Sequence, residues 1–201
     1  MTLGQRFVRL ATTVVVRVPF AWRFFRGPLT RTFDELAPTW ESRISDERLR
    51  PMLAALNALP VPPRRALDVG TGTGRVARIL ADRWPRAEIF GVDVSSGMVE
   101  EARRLDDRVR FDVADAASLP YADGEFDLLT LSNMIPFFDE VARVTSPGGY
   151  VAVAFTMGDR TPIYVPLGKI RSELERRGFT LVADFAEGPG TALLAHKPNP
   201  S

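Results

Sequence analysis

The stretch Asp68-Val69-Gly70-Thr71-Gly72-Thr73-Gly74 decides the fold of this chain. An apolar run at 66–69 enters it and reads as a short β-strand. Residues 75–84 leave it with Val76, Ile79 and Leu80 at helical spacing. Glycines lack a Cβ, so the backbone between strand and helix can turn sharply and press against a ligand. In an open parallel sheet such a turn lies at the carboxyl end of a strand, where ligands bind. Read from Gly70, the dinucleotide pattern G-x-G-x-x-G fails, because Arg75 stands at the third glycine. Read from Gly72, only the relaxed form ending in alanine is met, at Ala77. A nicotinamide-dependent enzyme therefore stays open as an alternative. No G-K-[ST] follows, which excludes a nucleoside-triphosphate loop.

Outward from this turn, strand and helix alternate. Strands are expected at 88–92, 109–113, 126–131, 150–155, 179–185 and 191–195. Helices are expected at 95–105 with Ser95 as cap, at 137–144 with Pro147-Gly148-Gly149 as the stop, and at 167–177. This alternation implies an α/β fold, a parallel sheet with helices on both faces. The last two strands are joined by the tight turn Glu187-Gly188-Pro189-Gly190, so that pair must be antiparallel.

Acids recur at the strand tips. Asp93 ends the second strand, 19 residues past Gly74, where a carboxylate can accept both hydroxyl hydrogens of a ribose. Asp115 follows the third strand, where its oxygen can accept from an adenine amino group. Asp68 stands near the end of the first strand.

Five blocks occur in one order: Asp68-x-Gly70-x-Gly72-x-Gly74, Asp93, Asp115-Ala116, Phe126-Asp127-Leu128-Leu129, and Glu140-Val141-Ala142-Arg143-Val144-Thr145-Ser146-Pro147-Gly148-Gly149. Over about residues 33–197 the chain resembles the class I S-adenosylmethionine-dependent methyltransferases. The resemblance implies a three-layer Rossmann-like fold with a seven-stranded sheet in the order 3-2-1-4-5-7-6, strand 7 antiparallel. It also implies that S-adenosyl-L-methionine is bound by Asp68, Gly70, Thr71, Gly72, Gly74, Asp93, Val94, Met98, Asp115, Ala116 and Ser132. In that scheme Gly70 and Gly72 lie along the methionine part, Asp93 holds the ribose and Val94 and Met98 pack on the adenine. Asp115 and Ala116 read its edge, and Ser132 faces the methionine amino group. The segment from Asp34 to Trp40 resembles the stretch by which many members close over the cofactor.

Composition limits the remaining chemistry. The 201 residues include no cysteine and one histidine. That excludes a disulfide scaffold, a thiolate or paired-histidine metal site and a cysteine nucleophile. No resident metal is expected. An enzyme so equipped must take its reactivity from a cofactor. The expected function is methyl transfer to a small or lipid-like acceptor by in-line displacement. The alternative is a cofactor-binding module without transfer activity, acting through partners. Candidate acceptor contacts are Trp40, Asn133 and Tyr164, with Asp159 at the rim; His196 is expected at the surface. Asn133 and Pro136 match the N-P-P-[FY] signature of amino-group DNA methyltransferases poorly, since Met134 and Ile135 intervene, and no nucleic-acid substrate is expected.

Charge divides the chain. Residues 1–33 carry six arginines and no acid, a charge of +6. The remaining 168 residues carry 20 basic and 25 acidic side chains, a charge of −5. Three parts are expected: a basic amphipathic arm at 1–32, cap helices and a linker at 33–63, and the cofactor-binding body at 64–201. In the arm, Phe7, Leu10, Ala11, Val14, Val15, Val18, Trp22 and Phe25 are expected on one face, with Pro19 dividing the helix. The arm is too short and too charged to span a bilayer. Residues 33–41 read as irregular, and a helix is expected over 49–59. The arm either packs on its own body or a twin subunit, or lies on an anionic membrane surface. The expected location is cytoplasmic, with peripheral contact at the inner membrane face as the variant.

Overall fold

In the computed structural model, which describes residues 3–43 and 45–200, the glycine turn leaves the central strand of a seven-stranded sheet. Strand β1 (Arg65–Val69) lies between β2 (Glu88–Asp93) and β4 (Phe126–Ser132). Strand β3 (Arg110–Val113) forms one edge beyond β2. Beyond β4 come β5 (Thr145–Phe155), β7 (Gly190–His196) and the edge strand β6 (Thr180–Glu187), in the order 3-2-1-4-5-7-6. Strands β1 to β5 pair in parallel, and β7 runs antiparallel to both β5 and β6.

Parallel strands buried on both faces need apolar residues on both sides of the pleat. Leu67, Val69, Leu129, Leu131, Val151 and Val153 face one core, which α6 (Phe138–Val144) and α7 (Leu167–Glu175) cover. Ala66, Ile89, Leu128, Ala152, Ala154 and Leu194 face the other. Helices α3 (Arg50–Asn57), α4 (Arg75–Arg83) and α5 (Ser96–Leu105) cover that side. Ser95 caps α5, its side chain accepting from the Met98 amide at 3.1 Å.

Helix α6 ends at Val144, as expected, but β5 starts at once with Thr145 rather than at residue 150, so the Pro-Gly-Gly turn falls within the strand. Residues 146–149 instead form an irregularity within β5. Phe126 pairs with Thr145, whereas Leu128 pairs with Tyr150.

The arm is divided at Pro19, as expected. Helix α1 (Leu3–Arg17) is followed by a 3₁₀ turn at Pro19–Ala21 and then α2 (Trp22–Leu36). Two expectations are corrected. Residues 33–36, read as irregular, complete α2, because Asp34 in its last turn is held by the N-terminus of α5. The apolar stripe of α1 does not lie on one buried face either. Ala11, Thr12 and Val15 point inward, while Phe7, Leu10 and Val18 are exposed. Only one side of α1 meets the body, and that contact is narrower than the stripe. No helix among the described residues is long and apolar enough to cross a membrane.

Candidate functional site

At the carboxyl ends of β1 to β4 lies the crevice of this sheet topology, filled and roofed by Trp22 and Arg26 of the arm together with Trp40 and Met134. At its centre the turn after β1 is tied to β2, with the Thr71 amide donating to Val92 O at 2.9 Å. Gly74 has φ +80°, and a Cβ there would stand 2.6 Å from Phe111 Cζ. Only glycine fits a left-handed residue at so close an approach.

Asp93, at the tip of β2, reaches across to this turn. Its Oδ2 accepts from the Gly72 amide at 2.9 Å and its Oδ1 from the Ser95 amide at 3.0 Å. Burial pushes its pKa up against these amide bonds, and the nearby Asp34 charge adds to the push. Each carboxylate oxygen has a second acceptor position. The crevice therefore offers acceptor capacity beside a main-chain turn with no side chain at Gly70 or Gly72.

Asp68 lies beneath the crevice. It is buried and accepts from the hydroxyls of Thr71 and Thr130, each at 2.7 Å. Burial pushes its pKa up to about 6, against the hydroxyl bonds. Its geometry is that of a post under the turn, pinning Thr71 to β4.

Asp115 is engaged by the arm. The Trp22 indole N–H donates to Oδ1 at 2.8 Å, and Arg26 Nη1 sits 2.9 Å from Oδ2. The Trp22 ring also packs edge-on against Phe137, with centroids 5.5 Å apart. Arg9 anchors α1 to the loop after β5, donating to the carbonyls of Asp159 (2.5 Å), Thr161 (2.6 Å) and Pro162 (3.2 Å).

The segment joining α2 to the body closes the other flank. Asp34 Oδ1 accepts from the Ser95 hydroxyl at 2.5 Å and the Gly97 amide at 3.0 Å. Glu41 accepts from the Thr73 hydroxyl at 2.5 Å and pairs with Arg75 (3.3 Å) and Arg78 (2.8 Å). Burial pushes Glu41 up, but the Thr73 hydroxyl and the two guanidiniums outweigh it and hold its carboxyl below the usual range. The Trp40 indole nitrogen would lie 3.4 Å from a Cβ on Gly72, and its ring packs on Phe33.

Of the other expected site residues, Met98 is buried, and Val94, Ala116 and Ser132 are half-buried near the strand ends. Asn133 has φ +51°, and both ends of its amide are used on Thr156: Nδ2 donates to Oγ1 at 3.0 Å and Oδ1 accepts from the amide at 2.9 Å. It clamps the end of β4 to the end of β5. Tyr164 packs against Phe155 beside Arg9. The side chain of Asp159 is exposed. His196 pairs in register with Tyr150, just past the irregularity in β5, at the opposite end of the sheet from the crevice. Sequence reasoning missed Arg9, Trp22, Arg26, Glu41 and Met134, whose Cβ would stand 3.0 Å from a Cβ on Gly70. The one signal for the arm's part was its charge, opposite to that of the strand-tip acids.

Residues 66–149 match the family described as a methyltransferase domain. The chain is 38% identical over 138 residues to the demethylmenaquinone methyltransferase of Thermus thermophilus, a match covering 60% of this chain and 62% of that one. It is 36% identical over 169 residues to the malonyl-[acyl-carrier protein] O-methyltransferase of Geobacter sulfurreducens, covering 68% and 63%. These matches support placing the chain with the class I S-adenosylmethionine-dependent methyltransferases. The chain spans less than two thirds of the length of these curated relatives. Among solved structures, the Haloferax volcanii protein in complex with the Trm112 methyltransferase activator superposes with TM-score 0.72 at 19% identity, covering 83% of this chain and 98% of that one. A methyltransferase from Aquifex aeolicus superposes with TM-score 0.66 at 18% identity, covering 80% and 98%. At such identity these likenesses show the fold alone.

The crevice fits the cofactor of these methyltransferases. A ribose needs acceptors, which Asp93 carries; Asp115 is held by Trp22, the Ala117 amide and Arg26, so an adenine amino group reaches it only where the arm gives way. The acids around the turn, Asp34, Asp68 and Asp93, lie close enough to act on one another's ionisation and give a setting suited to a sulfonium cation.

Proposed function

We propose that this chain is an S-adenosylmethionine-dependent methyltransferase acting on a small or lipid-like acceptor by in-line displacement. The observation that carries the reading is the Asp93 carboxylate at the tip of β2, bonded to the Gly72 amide across the glycine turn. The cofactor, when bound, supplies an activated methyl group. The protein's part is then to bind, align and exclude water, which orientation alone can reward with about 7–11 kcal/mol.

In this reading Asp93 holds the ribose hydroxyls, Gly70 to Gly74 form the floor, and Val94, Met98, Asp115 and Ala116 line the adenine end. Asp68 and Thr71 act through the turn they pin. Ser132 faces the methionine end. Trp40 and Tyr164 border the acceptor side, and Asn133 contributes by holding β4 to β5. Residues 1–32 form the roof, 33–63 the cap and linker, and 64–201 the catalytic body. Demethylmenaquinone and malonyl-thioester relatives support a small or lipid-like acceptor.

Calorimetric titration with S-adenosylmethionine or its demethylated product tests the site. We expect Asp93→Ala to weaken binding about tenfold to a hundredfold, the loss of charge-assisted hydrogen bonds. Unchanged affinity would refute the ribose assignment. Transfer of labelled methyl from the cofactor into a panel of quinols, acyl thioesters and small carboxylic acids then tests the reaction.

A further inference from the structure

We propose that the outer face of α1 and α2 is a docking surface for an anionic lipid bilayer. Helix α1 turns Ala11, Thr12 and Val15 to the body, with Val16 and Arg9 at the border of that contact. Leu3 (84% exposed), Phe7 and Leu10 point away from it. At the junction and in α2 so do Val18, Phe20 (68%) and Phe24 (64%). These side chains leave exposed apolar groups on both helices of the arm. Phe7 meets Phe25 across the two helices at 6.0 Å, and Phe20 meets Phe24 edge-on at 6.4 Å.

The same face carries the charge. Helical spacing puts Arg6 and Arg17 beside Leu10 on the outer side of α1, and both are exposed. The Arg23 guanidinium stacks over Phe20 at 4.4 Å and over Phe24 at 4.8 Å. No acid occurs between residues 1 and 33. Exposed aromatic and aliphatic side chains interleaved with arginine suit the boundary between lipid headgroups and acyl chains, where the rings enter and the guanidiniums meet phosphate. The −5 body is repelled by the same surface, so approach is steered arm-first. An acidic protein face, including that of a second copy, answers the arginines but not Leu3, Phe20 and Phe24; a bilayer answers both.

The inner side of the arm is already committed. Arg9, Trp22 and Arg26 hold it on the crevice rim. Docking the outer face therefore leaves these contacts intact. This inference does not depend on methyl transfer, and its test contains no cofactor.

The test is sedimentation of the full chain with vesicles of phosphatidylglycerol and phosphatidylcholine, against vesicles of phosphatidylcholine alone. Expected is at least tenfold stronger partitioning onto the anionic vesicles, lost as salt is raised from 0.1 to 0.5 M (a Debye length falling from about 10 Å toward 4 Å). Phe20→Ser with Phe24→Ser, and separately Arg6→Glu with Arg17→Glu, should each reduce partitioning tenfold or more. Circular dichroism and the melting temperature should stay unchanged, because all four side chains are exposed. Equal partitioning onto both vesicles, or none onto either, overturns the proposal. So does a dimer by light scattering that Phe20→Ser with Phe24→Ser converts to monomer, since a second copy would then own the face.

Discussion

Asp68 shows how one residue type at one place can serve two ends. As a strand-tip acid it looks like a ligand contact, yet its oxygens are taken by Thr71 and Thr130 in a buried position. Because burial raises its pKa to about 6, the folded state holds a proton that the unfolded chain releases near pH 4. Its contribution to stability is therefore greatest below pH 4, declines as pH rises to about 6, and then levels off. The full span is about 3 kcal/mol. Urea unfolding of the protein and of Asp68→Asn between pH 4 and 7 checks this. The protein should lose stability relative to the variant as pH rises, and parallel profiles would refute it. The types and approximate places of the acids were legible in the sequence, because a charge at a strand end is a local pattern. Their division into a buried post, a crevice acid and an arm-bound acid was not, since that depends on residues 62 and 93 positions away.

At the scale of elements, the arm changes the reading most. Its helical period and the break at Pro19 are properties of the local chain. Which side faces inward was decided by a contact narrower than the apolar stripe. Arg9 concentrates much of that contact, with three carbonyls on one guanidinium. In Arg9→Ala we expect amide hydrogen exchange in α1 to quicken about tenfold, the equivalent of ~1.4 kcal/mol of local stability, with the sheet unaffected. Equal acceleration throughout the chain would mean that α1 opens only with the whole fold. The Glu140-Val141-Ala142-Arg143 block also finds its physical reason here. Arg143 pairs with Glu140 and donates to the carbonyls of Leu119 and Tyr121, clipping the segment before β4 onto α6.

For the molecule as a whole, the two cores differ in grain. Beneath α3 the sheet presents Ala152, Ala154 and Ala192, so the helix comes close; a Cβ on Gly190 would stand 2.5 Å from Pro51 Cγ. Ala192 is fully buried there. Ala192→Leu should overpack this layer and lower global stability by about 1–3 kcal/mol, read as a fall in melting temperature of several degrees. An unshifted melting curve would show that α3 can ride outward at no cost.

The amino-acid sequence by itself determined the alternation of strands and helices, the glycine turn, the antiparallel closing pair and the likeness to methyltransferases. Each is carried by local periodicity or by a short motif whose spacing survives without any long-range contact. Only the tertiary structure decided which acids face the crevice, that the arm roofs it through Trp22 and Arg26, that Asn133 is a strand clamp, and that His196 sits at the far end of the sheet. Those outcomes depend on which surfaces meet when residues far apart in the chain are packed together. Charge and periodicity limit that choice, but only the geometry of the packed core makes it.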